Sequence, residues 1–170
     1  SYYGMILAHV GVAVSIVGIL MVSIYSEDRD MRMTPGDRQA FKHYEFVFDG
    51  ARQVEGPNYR SDMGRIVVLQ DGEVYTTLYP EKRFYSARGN VMTEAAIDPG
   101  LFRDLYVALG EPLENGAWAV RMQYKPFVRW IWLGGLLMTF GGLLSASDRR
   151  YRQKVKRQQP KAVPGEAEFA

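Results

Sequence analysis

The sequence has no cysteine and only two histidines among its 170 residues. The absence of cysteine excludes a thiol nucleophile, a metal site built from thiolates and a covalent haem attachment motif within this sequence. Any folded part must therefore be stable without disulfides, through burial of a sufficient core. The formal net charge of +2 is too small to indicate nucleic-acid binding. The placement of apolar residues is then the most informative feature.

Apolar residues are concentrated in two runs near the ends of the sequence. The first run, Gly4–Tyr25, covers 22 residues, or about 33 Å of helix, and a hydrocarbon core is about 30 Å thick. The second run, Trp130–Ala146, contains no charged residue. We predict transmembrane helices over residues 1–25 and 127–146. A buried helix of a soluble core is the alternative for each.

The start of the sequence raises a further alternative, a cleaved signal peptide over residues 1–25. No basic segment precedes the apolar run, and the sequence begins with Ser1 and not with methionine. We therefore expect the chain to begin inside a longer reading frame or after processing. A natural split product and a truncation both remain open.

The tail over residues 147–170 is rich in lysine and arginine. A basic cluster beside a transmembrane end marks the cytoplasmic side. We therefore place this tail in the cytoplasm and residues 26–126 outside, and we expect the polar end of the tail from Gln158 to be disordered. The basic residues that set the orientation are Arg149, Arg150, Arg152, Lys154, Lys156 and Arg157.

Residues 26–126 are typical of a small, mostly β domain, because short β-rich runs alternate with turn signals. Asp71-Gly72 between two such runs predicts a type I′ hairpin, since that turn needs positive φ at both central residues. Ser26–Asp30 is interpreted as a charged exit from the first helix into water. Leu101–Leu109 has helical spacing, with a strand as the alternative. The predicted fold class is a membrane protein in which two transmembrane α-helices flank a β-rich barrel or sandwich.

Small residues line one face of each apolar run. The first run carries Gly4, Ala8, Gly11 and Ser15 at helical spacing, and the second contains two glycine pairs seven residues apart. Small residues let helix backbones approach closely in lipid. Both helices are therefore predicted to pack against other helices.

His9 is the one histidine in the two apolar runs, which contain no lysine, arginine, aspartate or glutamate. A polar ring in hydrocarbon is unfavourable without a partner, so an intramembrane histidine is a functional candidate. Its imidazole can ligate haem iron, relay protons or hydrogen-bond another helix, and the spacing leaves all three open. The small neighbours Gly4, Ala8 and Gly11 leave room for a flat macrocycle or for another helix. His43 is interpreted as an ordinary surface residue.

The outer domain offers no complete catalytic constellation. Glu81-Lys82-Arg83 is interpreted as a solvated charged turn, and Arg83 and Arg88 are candidates for contact with carboxylates such as haem propionates. Five aromatic residues are predicted to be core, with a docking surface as the alternative: Tyr59, Tyr75, Tyr79, Phe84 and Tyr85.

Seven segments occur in the order found in one family: Gly4–Gly11, Gly56–Tyr59, Pro80–Arg83, Met92–Ile97, Asp104–Glu111, Lys125–Gly135 and Asp148–Tyr151. They resemble the CcmF family of bacterial and mitochondrial cytochrome c maturation, and the resemblance extends to Arg152. It implies that this chain is the C-terminal portion of a multi-pass protein of the bacterial inner membrane, with residues 26–126 in the periplasm. The tryptophan-rich segment and external histidines of the family are absent here.

The resemblance also implies a chemistry. The family acts as a haem lyase component that receives haem from the chaperone CcmE and joins it to the CxxCH thiols of apocytochrome c. CcmH- and CcmI-type proteins handle the apocytochrome, and quinol is the implied electron source. His9 is the implied axial ligand of a haem b in the membrane, and the second axial histidine belongs to an upstream helix. His9 lies about 12 Å along the helix from Ser1, which implies the cytoplasmic half of the bilayer.

Overall fold

The computed structural model describes residues 2–86 and 89–147. Two apolar helices, α1 (Tyr2–Tyr25) and α2 (Val128–Ser147), flank a β domain. Both helices are long and apolar enough to cross a membrane. The predicted cytoplasmic tail beyond Ser147 lies outside the described residues, as does Arg88.

The chain divides into two compact units. In its described part, one unit pairs residues 2–16 with residues 132–147, and the other comprises residues 17–131 without the gap at 87 and 88. Within the described residues the second unit contains ten strands and one 3₁₀ turn (Glu114–Gly116). The strands are β1 (Glu27–Met33), β2 (Arg38–Phe41), β3 (Tyr44–Glu55), β4 (Tyr59–Gln70), β5 (Glu73–Leu78), β6 (Glu81–Tyr85), β7 (Asn90–Glu94), β8 (Ala96–Pro99), β9 (Arg103–Pro112) and β10 (Trp118–Pro126).

The strands form two antiparallel sheets that pack as a sandwich. One sheet has the order β1-β10-β9-β8, and the other has the order β2-β3-β4-β6-β7, with β5 added beside β4. The first half of β4 pairs with β6 and its second half pairs with β5. The predicted fold class is confirmed, in its sandwich form. The shared core comprises Met33, Phe41, Phe46, Phe48, Ile66, Val68, Leu78, Leu105, Val107, Leu109, Val120 and Met122.

The hairpin between β4 and β5 has the turn that the sequence predicts. Asp71 has φ 54° and Gly72 has φ 85°, so both central residues occupy the left-handed region that a type I′ turn requires. The last strand, β10, alternates between the core and the surface: Val120 and Met122 are buried, and Arg121 between them is exposed.

The helical interpretation of Leu101–Leu109 is wrong. Residues from Arg103 onward form β9, in which Leu105, Val107 and Leu109 alternate into the core. Pairing with β8 on one side and β10 on the other satisfies the backbone, and a period of two buries one face. The first helix ends at Tyr25, and Asp28, Arg29 and Asp30 are exposed, in agreement with a charged exit from the helix. The sequence did not predict that this segment forms β1, which pairs with β10.

Arg103 joins the two sheets at one end of the sandwich. It lies at the start of β9, forms an ion pair at 2.5 Å with Asp98 of β8, and donates from Nε to the hydroxyl of Tyr44 on β3 at 2.8 Å. Its guanidinium also lies over the rings of Tyr44 and Tyr75, at 5.0 and 5.2 Å. Burial opposes the charge, but the hydrogen bonds with Asp98 and Tyr44 outweigh burial and raise the pKa of Arg103.

Arg103→Met should increase amide hydrogen exchange in β8 and at the start of β9. Removing one member of a buried ion pair costs about 3–5 kcal/mol, and the slight exposure of both side chains reduces the expected loss to about 2 kcal/mol. Hydrogen–deuterium exchange of the purified protein measures the effect. Arg52→Met, at an exposed position of β3, is the matched control, and equal exchange in both variants would contradict the prediction.

The two apolar helices pack against each other through glycine. A Cβ added at Gly141 would lie 2.6 Å from the backbone nitrogen of Ala8, and one added at Gly11 would lie 2.6 Å from the carbonyl oxygen of Gly134. Such distances are too short for any side chain, so the backbones are in direct contact there. The glycines at 135 and 142 have no atom within 4 Å of an added Cβ. The prediction of helix packing is confirmed, and the partner is the chain's own second helix.

Gly134→Leu should destabilise this helix pair, because the new side chain meets Ser15 and the carbonyl oxygen of Gly11. Overpacking of this kind costs about 1–3 kcal/mol or more. Gly135→Leu is the control, since it adds the same side chain one residue away into open space. Thermal unfolding of both variants in detergent makes the comparison, and an equal fall in melting temperature would argue against glycine-mediated packing.

Candidate functional site

His9 lies on the face of α1 that points away from α2. At about 100° per residue, its side chain is roughly 140° from the middle of the face that carries Gly4 and Gly11. His9 is exposed, whereas both glycines are buried. The apolar side chains that share its side of the helix are also exposed, including Met5, Val12 and Ile16. Within the described residues this face of α1 is open to a ligand or to another helix.

The ring of His9 is oriented by its own helix. Nδ1 lies 2.8 Å from the carbonyl oxygen of Met5. A carbonyl oxygen can only accept, so Nδ1 carries the proton of this hydrogen bond. In the neutral ring, Nε2 then holds the free lone pair. A backbone carbonyl bonded to one nitrogen is a common means of orienting a histidine that ligates metal through the other.

The structure decides between two uses of the small residues near His9. Gly4, Ala8 and Gly11 contact α2, so they do not provide space for a macrocycle. That interpretation is wrong, and the alternative, room for a neighbouring helix, is confirmed. Space for a bound group beside His9 lies on the opposite, exposed side. The small residue on that side is Ala13, one turn further along the helix.

Within the described residues, the two histidines of the sequence, His9 and His43, belong to no cluster of metal-ligating side chains. Over residues 2–86 and 89–147, no three histidine, aspartate or glutamate side chains come together as a metal site. His43 is exposed in the turn between β2 and β3, in agreement with its interpretation as a surface residue.

Glu81, Lys82 and Arg83 belong to strand β6, so their interpretation as a charged turn is wrong. Lys82 is only 3% exposed, and its Nζ pairs with Glu111 at 2.5 Å. Arg83 pairs with Glu81 at 2.9 Å and lies over the ring of Tyr59. Hydrogen bonds with Glu81 and then Tyr85 raise the pKa of Arg83. These charges are paired within the domain and hold its strands together.

Three of the five aromatic residues predicted as core are on the surface instead. Tyr75, Tyr79 and Phe84 are exposed, while Tyr59 and Tyr85 are half-buried and face each other with ring centroids 5.5 Å apart. The prediction is wrong for the exposed three: Tyr75 lies on β5, Phe84 lies on β6, and Tyr79 lies in the connection between these two strands, and the side chains of all three face away from the core. An open cleft of about 430 Å³ borders Tyr59 and Phe84.

The exposed part of this region is the β6–β7 hairpin. Phe84 of β6 is paired directly with Val91 of β7, and both side chains are exposed, as is Met92 next to Val91. Among the strands of the described residues, β7 lies at the edge of its sheet and pairs only with β6. Sequence reasoning missed this surface because alternation within a strand does not reveal which of its faces is left uncovered.

Two apolar helices in direct contact, with a β-sandwich between them in the sequence, define the fold of a membrane protein. The family model described as the CcmF C-terminal beta-sandwich matches residues 24–126. The chain belongs to the CcmF family, as its sequence resemblance implies, and it contains the C-terminal sandwich of that family.

Curated relatives extend the match over most of the chain. It is 63% identical over 156 residues to the cytochrome c-type biogenesis protein CcmF of Pseudomonas aeruginosa, covering 92% of this chain and 24% of the relative. It is 56% identical over 165 residues to CcmF of Escherichia coli, covering 96% of this chain and 26% of the relative. The chain therefore spans about a quarter of the length of these relatives.

A solved structure has the same fold. The protein titled "Cytochrome c Heme Lyase CcmF" superimposes with a TM-score of 0.70 at 18% identity, covering 82% of this chain and 23% of that one. At this level of identity, the likeness concerns the fold alone.

Proposed function

We propose that this chain is the C-terminal part of a membrane haem lyase subunit of cytochrome c maturation, with His9 as an axial ligand of a haem b in the membrane. The observation that carries the proposal is the orientation of His9. Its Nδ1 is held by the Met5 carbonyl, which leaves Nε2 directed away from the helix as a ligand nitrogen in a member of the CcmF family.

The chain's own residues have three tasks in this proposal. His9 supplies one neutral nitrogen, Met5 fixes the ring, and the glycine contacts with α2 keep the His9 face of α1 free of the chain's other helix. A bound haem b supplies one-electron redox chemistry, with quinol as the proposed source of electrons. The second axial ligand belongs to a segment outside this chain.

The wider activity proposed is transfer of haem from the chaperone CcmE to the CxxCH thiols of apocytochrome c. The β-sandwich then lies in the periplasm of the bacterial inner membrane, and the basic tail lies in the cytoplasm. The names of the relatives support a role in cytochrome c biogenesis. The basic tail supports the orientation.

His9→Ala should abolish or strongly reduce the b-type haem absorbance of the purified protein, because one iron ligand is lost. His43→Ala removes the only other histidine of this sequence and should leave the spectrum unchanged. Added imidazole should restore part of the absorbance of His9→Ala, since it can replace the missing ring in the space left by the side chain. Undiminished absorbance in His9→Ala would reject the ligand role.

A second candidate function is a non-catalytic docking scaffold whose sandwich binds assembly partners. The observation that favours it is the exposed apolar pair Phe84 and Val91 on an edge hairpin. An edge strand presents unpaired backbone groups as well as side chains, so it can bind another protein segment. CcmE and the CcmH- and CcmI-type proteins are the proposed partners of this surface.

The docking candidate predicts that Phe84→Ala combined with Val91→Ala weakens co-purification with these partners. Leu113→Ala, an exposed leucine in the β9–β10 connection, is the control for loss of apolar surface. His9→Ala should keep the partners while losing haem, so the two candidate functions are separable. Normal partner recovery with the double variant would rule out docking through this hairpin.

A further inference from the structure

We infer that Leu101 and Phe102, in the loop between β8 and β9, insert into lipid at the membrane–water boundary. This loop lies outside both apolar runs of the sequence. Sequence patterns alone therefore do not associate it with the membrane. The inference rests on α2 crossing a bilayer and is independent of any haem role for His9.

Both side chains are large, apolar and exposed. Leu101 is 60% exposed and Phe102 is 57% exposed, and they are adjacent. Single apolar residues on a surface are common. Here two large apolar side chains are adjacent in the short loop between Pro99 and Arg103, and their contact with water is unfavourable.

The loop is fixed against the first turn of α2. The indole nitrogen of Trp130 donates to the carbonyl oxygen of Leu101 at 3.1 Å. The backbone nitrogen of Phe127 donates to the carbonyl oxygen of Phe102 at 2.9 Å. The ring of Phe102 also contacts those of Phe127 and Trp130, with centroids 5.7 and 6.2 Å away. The loop must therefore share the depth of Trp130.

Trp130 marks that depth as the membrane interface. Tryptophan is enriched where its ring can lie among headgroups and its N–H can find a polar partner, and here the partner is the loop itself. Arg129 beside it is exposed, as expected for a cation facing lipid phosphates. Continuity with the start of a membrane helix favours lipid over another protein segment as the occupant around Leu101 and Phe102.

Hydrogen bonds fix the backbone of the loop that carries Leu101 and Phe102. The backbone nitrogen of Gly100 donates to Asp104 Oδ1 at 3.0 Å, and Asp104 is buried. Arg103 bonds both the carbonyl oxygen and the carboxylate of Asp98 on the other side of the loop. Because the backbone is already ordered, insertion would cost little additional conformational entropy.

The inference is tested with nitroxide labels on single introduced cysteines. The full-length protein that contains this chain is purified, labelled and reconstituted in lipid nanodiscs. The sequence contributes no cysteine of its own, and cysteines elsewhere in the protein would be replaced. Leu101→Cys is the primary site because it keeps the backbone carbonyl that Trp130 bonds. Phe102→Cys is the second site. Leu113→Cys is the matched control, an exposed leucine at the far end of β9, about 33 Å along the strand from Arg103.

Collision with oxygen, which concentrates in lipid, and with a water-soluble nickel chelate reports the surroundings of each label. We expect labels at 101 and 102 to have a several-fold higher ratio of oxygen to nickel accessibility than the label at 113. If the labels at 101 and 102 are as accessible to the nickel chelate as the label at 113, the loop is in water and the inference is wrong. If these two labels have immobilised spectra and low accessibility to both reagents, another protein segment covers the loop, and the inference is also wrong.

Discussion

The direct contact between the backbones of α1 and α2 is the constraint on which the membrane part of the structure depends. Gly11 and Gly134 approach so closely that neither can carry a side chain, and Gly141 does the same against Ala8. One face of α1 makes this contact, and His9 lies on the opposite face. A bulkier residue at these positions would alter the helix pairing, and with it the direction in which the imidazole of His9 points.

The β-sandwich depends on a different kind of contact. Its core is apolar and continuous between the two sheets, but one end is closed by Arg103, which bonds residues of both sheets. The same arginine supports the loop that carries Leu101 and Phe102. The ion pair between Arg103 and Asp98 is therefore adjacent to the exposed side chains of Leu101 and Phe102. Because the ion pair fixes the loop, these side chains are exposed without any rearrangement of the fold.

The secondary structure was predictable where one local rule dominated. Asp71-Gly72 specified a hairpin because few other dipeptides accept two positive φ angles. The prediction failed at Leu101–Leu109, where apolar residues satisfied helical spacing and strand alternation at once, and pairing with β8 and β10 decided the outcome. The strand that begins at Glu27 was also not predicted, because a charged segment can form a strand when a neighbouring strand supplies its hydrogen bonds.

The sequence by itself determined the two apolar helices, the β-rich domain between them, the family and the identity of His9 as the candidate ligand. These follow from composition, length and motifs, which are local properties. The tertiary structure alone decided that the small residues of α1 contact α2, that His9 lies on the other side with its Nδ1 bonded to Met5, and that Phe84 and Leu101 are exposed. The physical reason is that a side chain's surroundings depend on which distant segment covers it, and that is settled only when helices and sheets pack together.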